Sequence, residues 1–304
     1  MHILVTGGAG FIGSETVKLL LADGHTITAL DDESVGKLHD LPQSRSLGIV
    51  RGDLLDEELV RRCVRAEDAV LHLAAMTRIQ ASLEKPVECL ETNVVGTAIL
   101  LQACRSEGVR KIVFASSSSV YGLTPPPHRE DGPTDPLNPY ALSKWVGERL
   151  LKYWVDAGHG DAICLRYFNV YGPGENEAGD YSTAIRRFRT LRLRGKPLTI
   201  YGDGEQRRDF TFVGDVARAN VLALTTPLQG YHILNIGAGD NRSVNDVAAL
   251  IAGPVVHLSA RPGEARETLA DNGKAARLLG WRPEVSFEGS VKDLIRLDDQ
   301  GVPS

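Results

Sequence analysis

Cysteine is scarce, and the few present do not cluster. Cys63, Cys89, Cys104 and Cys164 are the only four, with no C-x-x-C pair among them. That pattern argues against a zinc site or a disulfide scaffold and fits a reducing compartment, with core packing as the plain role of all four. No uninterrupted apolar run reaches the length of a membrane span. No basic segment followed by an apolar signal region precedes the first strand-like run. A cytoplasmic protein without a membrane partner is therefore expected. Basic charge is not in excess either. The net charge is −5 over 304 residues, which gives no electrostatic footprint for nucleic acid. Internal repeats and low-complexity segments are absent.

What is present starts with Ile3-Leu4-Val5, a short apolar run. Thr6-Gly7-Gly8-Ala9-Gly10-Phe11-Ile12-Gly13 follows, and Phe11, Val17, Leu20 and Leu21 then recur at helical spacing. Strand, glycine turn, helix is the economical reading. Without a Cβ, Gly7 and Gly10 can turn tightly and bring backbone amides to a pyrophosphate, while Gly13 lets the helix pack close to the strand. The helix N-terminus adds unpaired N–H groups and partial positive charge. A glycine pattern alone is weak, since any tight strand-to-helix turn favours glycine. The context strengthens it. Residues 25–30 read as the next strand, closed by Asp31-Asp32. A carboxylate there accepts hydrogen bonds from an adenosine ribose and repels the extra phosphate of NADP, so NAD is the expected dinucleotide.

Strand-like and helix-like runs alternate through the first half, the signature of a parallel sheet covered by helices. Residues 47–50 form a third strand leading to Gly52-Asp53-Leu54. Asp53 either holds an adenine or caps the helix that starts near Asp56. Residues 69–73 form a fourth, in which His72 reads as a packed histidine. Ala74-Ala75 beyond it are small enough for a cofactor to pass near the backbone. A long helix over about 87–106 carries Asn93, whose amide needs partners in a neighbouring loop or on the cofactor. Residues 111–115 are a fifth strand, and Ser116-Ser117-Ser118-Ser119-Val120-Tyr121-Gly122 lies at its C-terminal end, where open α/β sheets bind ligands. Asn138-Pro139 reads as the N-cap and first position of a helix reaching about Val155. Residues 162–166 are a sixth strand.

Beyond it the alternation breaks. Residues 167–208 are loop-rich around one helix, whose Arg186, Arg187, Arg189, Arg192 and Arg194 read as a solvated face rather than a clamp for an acidic sugar or partner. The expected fold class is α/β. A doubly wound parallel sheet of Rossmann type takes residues 1–166 and about 209–238. A smaller C-terminal substrate domain takes about 167–208 and 239–304.

Tyr140 and Lys144 are spaced i, i+4 and project from one helix face. A free tyrosine titrates near 10, too high for a base at neutral pH. A lysine ammonium close by, with the positive ring of an oxidised nicotinamide, lowers that value. Tyr140 then accepts a proton from a sugar or alcohol hydroxyl. Lys144 also suits the nicotinamide ribose.

These motifs, with Arg166-Tyr167-Phe168-Asn169-Val170-Tyr171-Gly172-Pro173, Tyr201-Gly202-Asp203-Gly204 and Arg208-Asp209-Phe210, resemble the extended short-chain dehydrogenase/reductase family. The likeness is to its NAD-dependent nucleotide-sugar epimerases and dehydratases, above all the UDP-glucose 4-epimerases, and it covers essentially the full chain. It implies Ser117, Tyr140 and Lys144 as catalytic residues. It implies NAD contacts at Gly7, Gly10, Phe11, Ile12, Gly13, Asp31, Asp32, Asp53, Leu54, Leu73, Ala74, Ala75, Asn93, Tyr140, Lys144 and Tyr167. On the substrate it implies Ser117 at the sugar, Asn169 at the diphosphate and Tyr201 beside the nucleotide base. Arg208 and Arg261 fall on the diphosphate, where guanidinium forks suit two adjacent phosphates. Glu264 stands where many members place an Asp on the nucleotide ribose.

Family dehydratases carry an Asp-Glu pair just before the Val-Tyr-Gly, and decarboxylating members usually a glutamate at the second place. Here those places hold Ser118 and Ser119. The remaining set supports oxidation at C4 and re-reduction, which is epimerisation. Thr268 falls where a tyrosine restricts some UDP-glucose-only epimerases. It either leaves room for an N-acetyl group or faces a pocket filled by another side chain. Gly174 stands where uronate epimerases tend to carry arginine, which ranks neutral hexoses first. A UDP-hexose 4-epimerase with tightly held NAD is expected. Behind it come a deoxysugar epimerase, ketoreductase or dehydratase, and a non-catalytic NAD-sensing protein. The resemblance also implies a homodimer through the helices near 87–106 and 138–155. Leu142, Trp145 and Trp154 serve either that contact or the core.

Overall fold

The computed structural model describes residues 1–175, 183–260 and 265–301. Strands form where the apolar runs lie: β1 (His2–Thr6), β2 (Thr26–Asp31), β3 (Leu47–Arg51), β4 (Ala69–His72), β5 (Lys111–Ser117) and β6 (Asp161–Tyr167). A seventh, Tyr231–Ile236, joins them beyond those expected from the sequence. The sheet order is Tyr231–Ile236, β6, β5, β4, β1, β2, β3. Every pairing in it is parallel. The chain winds outward from β1 to β3, then returns to β4 beside β1 and winds the other way. This is the doubly wound α/β arrangement, with a ligand crevice at the reversal between β1 and β4.

The two-residue period of the strands sorts the core into two layers. Ile3, Val5, Val113 and Ala115 pack beneath the helices Phe11–Ala22 and Val213–Thr225. Leu4, Ile112 and Phe114 face the helices Glu57–Val64, Gly96–Glu107 and Pro139–Asp156. All four cysteines are buried and unbridged, and Trp154 belongs to this second layer. A separate apolar cluster gathers Tyr171, Ile185, Phe188, Ile200, Val247 and Leu294. Around it lie three two-stranded ladders. They pair Val170–Tyr171 with Thr211–Phe212, Arg207–Asp209 with Asn241–Ser243, and Leu198–Tyr201 with Val255–Leu258. Among the described residues no helix is long and apolar enough to cross a membrane.

Two expectations need correction. The helix near 87–106 is really Pro86–Leu90, a π turn at Glu91–Val95, and Gly96–Glu107. The π turn widens the helix at Asn93, an irregularity common at functional sites. The arginine-rich helix Ala184–Leu193 is only in part a solvated face. Arg186 and Arg189 are buried. Arg189 donates through Nε and Nη2 to the Asp298 carboxylate at 2.7 and 2.5 Å. Four arginines spread around a helix whose Ile185 and Phe188 enter the core, so some must follow them inward. A distant carboxylate makes that burial tolerable.

Candidate active site

The glycine turn is shaped as a cradle. Gly7 has φ +70, and a Cβ on it would lie 2.7 Å from the Ala74 amide nitrogen. A Cβ on Gly13 would lie 2.1 Å from the Gly7 carbonyl oxygen. Gly10 is the N-cap of Phe11–Ala22, with no side-chain cap and no acid in the first turn. Phe11 and Ile12 open that turn. No side chain caps its N–H groups, and backbone already occupies the space that a Cβ at Gly7 or Gly13 would need, so only glycine lets the turn close this tightly. The cradle therefore fits the pyrophosphate of a dinucleotide.

Asp31 closes β2 beside it. Its carboxylate accepts from the Ala9 and Glu33 amides at 3.0 and 2.8 Å. Burial pushes its pKa up, against those two backbone hydrogen bonds. Asp31 thus fastens the glycine turn to the strand end. Exposed Asp32 accepts from the amide and hydroxyl of Ser34. Asp53 is exposed and accepts from the Leu55 amide at 2.9 Å. It does not cap the following helix; Asp56 does, accepting from the Leu59 amide. Leu54 is buried, and Leu73, Ala74 and Ala75 line the exit of β4, partly covered.

Asn93 is nearly enclosed. Its Oδ1 accepts from the Met76 amide at 2.7 Å, and its Nδ2 donates to the Met76 carbonyl and the Ser143 hydroxyl. It bridges the loop after β4 to the helix Pro139–Asp156. The Tyr167 hydroxyl donates to Asn220 Oδ1 at 2.6 Å, so that group serves the core. His72 is the packed histidine expected. It lies between the Thr6 and Thr97 hydroxyls, and burial, then Lys144, pulls its pKa down to about 3.

Ser117 ends β5 and Tyr140 lies in the first turn of Pro139–Asp156, where Asn138 accepts from the Ala141 amide at 2.9 Å. Ser117 is near enough to the Tyr140 phenol to favour its ionised form. The Ser119 hydroxyl donates to Ser117 Oγ at 2.9 Å. Ser82, unmarked by any sequence signal, accepts from the Tyr140 amide at 3.2 Å. The expected effect of Lys144 on Tyr140 is not present in the protein alone. Burial pushes the phenol up, opposed by the neighbouring Ser117 hydroxyl. Burial also pulls Lys144 down to about 8, and its ammonium rests over the Phe114 ring, 5.0 Å from the centroid. A phenolate here needs positive charge from a ligand.

Asn169 follows β6 in a left-handed conformation, φ +26. Non-glycine residues in that region mark strained, commonly functional, positions. Its Nδ2 donates to the Asp209 carbonyl at 3.0 Å and to Thr268 Oγ1 at 3.2 Å. Both amide hydrogens are thus engaged within the chain. The Asp209 carboxylate accepts from the Ala238, Gly239 and Ala270 amides, and burial raises its pKa to about 6. Arg208 Nη1 donates to the Arg207 carbonyl at 3.0 Å. The Arg187 guanidinium lies over the Tyr201 ring at 4.6 Å and donates to its hydroxyl at 3.1 Å. A Cβ on Gly174 would lie 4.0 Å from Phe11, so this loop borders the glycine cradle. Arg261 and Glu264 lie outside the described residues.

The arrangement is that of a dinucleotide cradle opening onto a serine–tyrosine pair, with a second lobe of loops beside it. Comparison with known proteins agrees. The profile of the "NAD dependent epimerase/dehydratase family" matches residues 3–237. A UDP-glucose 4-epimerase of Mycolicibacterium smegmatis is 38% identical, over 96% of this chain and 97% of the relative. A UDP-glucuronate 4-epimerase of Thermodesulfobacterium geofontis is 35% identical, over 99% and 97%. The solved structure of a UDP-N-acetylglucosamine 4-epimerase from Methanobrevibacter ruminantium M1, in complex with UDP-N-acetylmuramic acid, superposes with a TM-score of 0.93. It is 32% identical and covers 99% of each chain. With its cradle, its sheet and these relatives in agreement, the chain belongs to the NAD-dependent epimerase/dehydratase family and is an enzyme of nucleotide-sugar chemistry that uses NAD.

Proposed function

We propose that this enzyme interconverts the C4 epimers of a UDP-hexose, N-acetylated forms included, through a 4-keto sugar. The observation that carries the reading is Ser117, at the end of β5, brought beside the Tyr140 phenol, with serines, not acids, at 118 and 119. Tyr140 takes the proton of the C4 hydroxyl and later returns it, and Ser117 orients that hydroxyl. Bound NAD supplies a hydride acceptor for C4 and a positive ring that brings the Tyr140 phenol down. Lys144 adds charge on the next turn of the same helix. Serine hydroxyls cannot move the extra proton that elimination of water requires at neutral pH, which disfavours a dehydratase.

The cradle residues Gly7, Gly10, Phe11, Ile12 and Gly13, with Asp31, Asp32 and Asp53, are proposed to hold NAD. Asn169, Tyr201 and Arg208 are proposed for the nucleotide, within a substrate lobe of about 167–208 and 239–304. Because the Asn169 amide donors are engaged, this reading puts more of the diphosphate on arginine. Thr268 is short and hydrogen-bonded sideways to Asn169, which supports room for an N-acetyl group. Gly174 supports a neutral sugar. A homodimer is proposed through the helices that expose Val87, Val95, Leu142 and Tyr153.

The test is incubation with UDP-glucose, UDP-GlcNAc, UDP-glucuronate and dTDP-glucose without added cofactor, resolving the C4 epimers. Conversion of UDP-glucose or UDP-GlcNAc is expected. Loss of water, or consumption of external NAD(P)H with no epimer formed, would refute the reading.

A further inference from the structure

We propose that Glu148 is a positioning residue: clamped by Arg166 and Ser116, it sets the register of the helix bearing Tyr140 and Lys144 against the strand end bearing Ser117. The inference rests on Tyr140 being the catalytic base. Tyr140, Lys144 and Glu148 follow one another at four-residue intervals along Pro139–Asp156, so they share one face. At about 1.5 Å per residue the line is about 12 Å long.

Glu148 and Arg166 have side chains only 0% and 1% exposed. Arg166 donates through Nε to Oε1 at 2.8 Å and through Nη2 to Oε2 at 2.7 Å. The Ser116 hydroxyl donates to Oε1 at 2.6 Å. Ser116 and Arg166 face each other across β5 and β6, and the next pair in register is Ser117 with Tyr167. One carboxylate therefore joins the helix to two strands, one residue from Ser117. Glu148 and Arg166 are each braced by a tyrosine. The Tyr231 hydroxyl donates to the Glu148 carbonyl at 2.9 Å. The Arg166 guanidinium lies 4.7 Å from the Tyr121 ring, and the Tyr121 hydroxyl donates to Asn235 at 2.6 Å.

A role in stability alone explains this poorly. Apolar side chains of similar volume commonly replace a buried ion pair without loss. What they lack is direction. A bidentate fork tolerates only small displacements, so it fixes the axial position of the helix, where apolar contact lets it slide. A misplacement of about 1 Å costs on the order of a hundredfold in rate.

The test uses the NAD-loaded enzyme with Ser116→Ala, which leaves the ion pair intact, and Glu148→Gln, which keeps the shape and removes the charge. The expected result is a kcat lower by about tenfold in Ser116→Ala and towards a hundredfold in Glu148→Gln, with KM within about twofold. NAD content should stay that of the wild type. A second readout does not use activity. The tyrosinate absorbance titration of Tyr140, isolated by subtracting Tyr140→Phe, should move to higher pH as Ser117 and the phenol move apart. The other titratable groups around that phenol are Cys89 and Tyr167, with Lys144 one turn on. Wild-type kcat and an unmoved titration in folded Glu148→Gln would overturn the proposal. So would activity falling only in step with folded protein. If Glu148→Gln does not fold, the same two readouts on Ser116→Ala decide. If the wild type turns over no UDP-hexose, the epimerase reading fails and the Tyr140 titration still decides this one.

Discussion

Gly147→Ala should damage this enzyme by an amount that can be worked out beforehand. A Cβ at position 147 would lie 2.4 Å from Phe114 Cζ. Carbon atoms in contact settle near 3.5–4.0 Å, so about 1 Å of movement is required. Phe114 is buried, with His72 5.6 Å away on one side and the Lys144 ammonium 5.0 Å from its centroid. The ring is hemmed in, so the helix must lift. Overpacking of this kind costs about 1–3 kcal/mol. Alanine regains about 0.5–1 kcal/mol over glycine inside a helix. The net destabilisation is about 0–2.5 kcal/mol, centred near 1. For a chain of this size that lowers Tm by only a few degrees, roughly 2–4 °C per kcal/mol. Activity should suffer far more. Lys144 and Tyr140 ride on the same helix, and about 1 Å of lift lowers kcat by on the order of a hundredfold. Calorimetry and a UDP-hexose epimerisation assay on one preparation measure both. An unchanged or higher Tm together with wild-type kcat would refute the reasoning, because the helix would then not be seated on β5 by that contact.

Three further outcomes follow from the site. Gly13→Ala should yield folded protein without co-purified NAD, since its Cβ would lie 2.1 Å from the Gly7 carbonyl oxygen; absorbance and acid-released NAD measure this. Lys144→Met should abolish turnover yet stabilise the NAD-free chain at pH 7 by about 1–3 kcal/mol in urea melts. The sign comes from Lys144 titrating at about 8 when folded and 10.5 when free, so the penalty is complete below pH 8. It fades as pH rises to about 10.5, and the two melts should converge there. Thr268→Tyr should lower kcat/KM for UDP-GlcNAc relative to UDP-glucose, measured by competition between the two; an unchanged ratio would remove Thr268 from specificity.

What the sequence disclosed was local. The glycine turn, the Asn138 cap and the alternating strands each depend on residues a few positions apart, and each stands where expected. What it hid depends on distant partners or on burial. Arg189 looks like a surface arginine until Asp298, 109 residues away, is brought to it. In the sequence Asp53 reads as an adenine contact or the cap of the next helix, and the backbone path gives the cap to Asp56 instead. The strand Tyr231–Ile236 sits far down the chain from β6, its partner at the sheet edge. Spacing put Tyr140 and Lys144 on one face correctly, but it carries no measure of desolvation. That is why burial outweighs Lys144 at the phenol in the protein alone, where the nicotinamide half of the expected effect is missing.

The corner at Asn169 has a meaning for inheritance and for engineering. Its left-handed backbone and its two donations to Asp209 and Thr268 splice three stretches of chain into one small structure. None of the three can be exchanged alone without stranding a polar group of another. Chimaeras among relatives should therefore work when a crossover lies outside 169–268. Those that separate Asn169 from Thr268 should lose sugar handling while the NAD cradle persists. New specificities are then best sought by moving the corner as a single cassette.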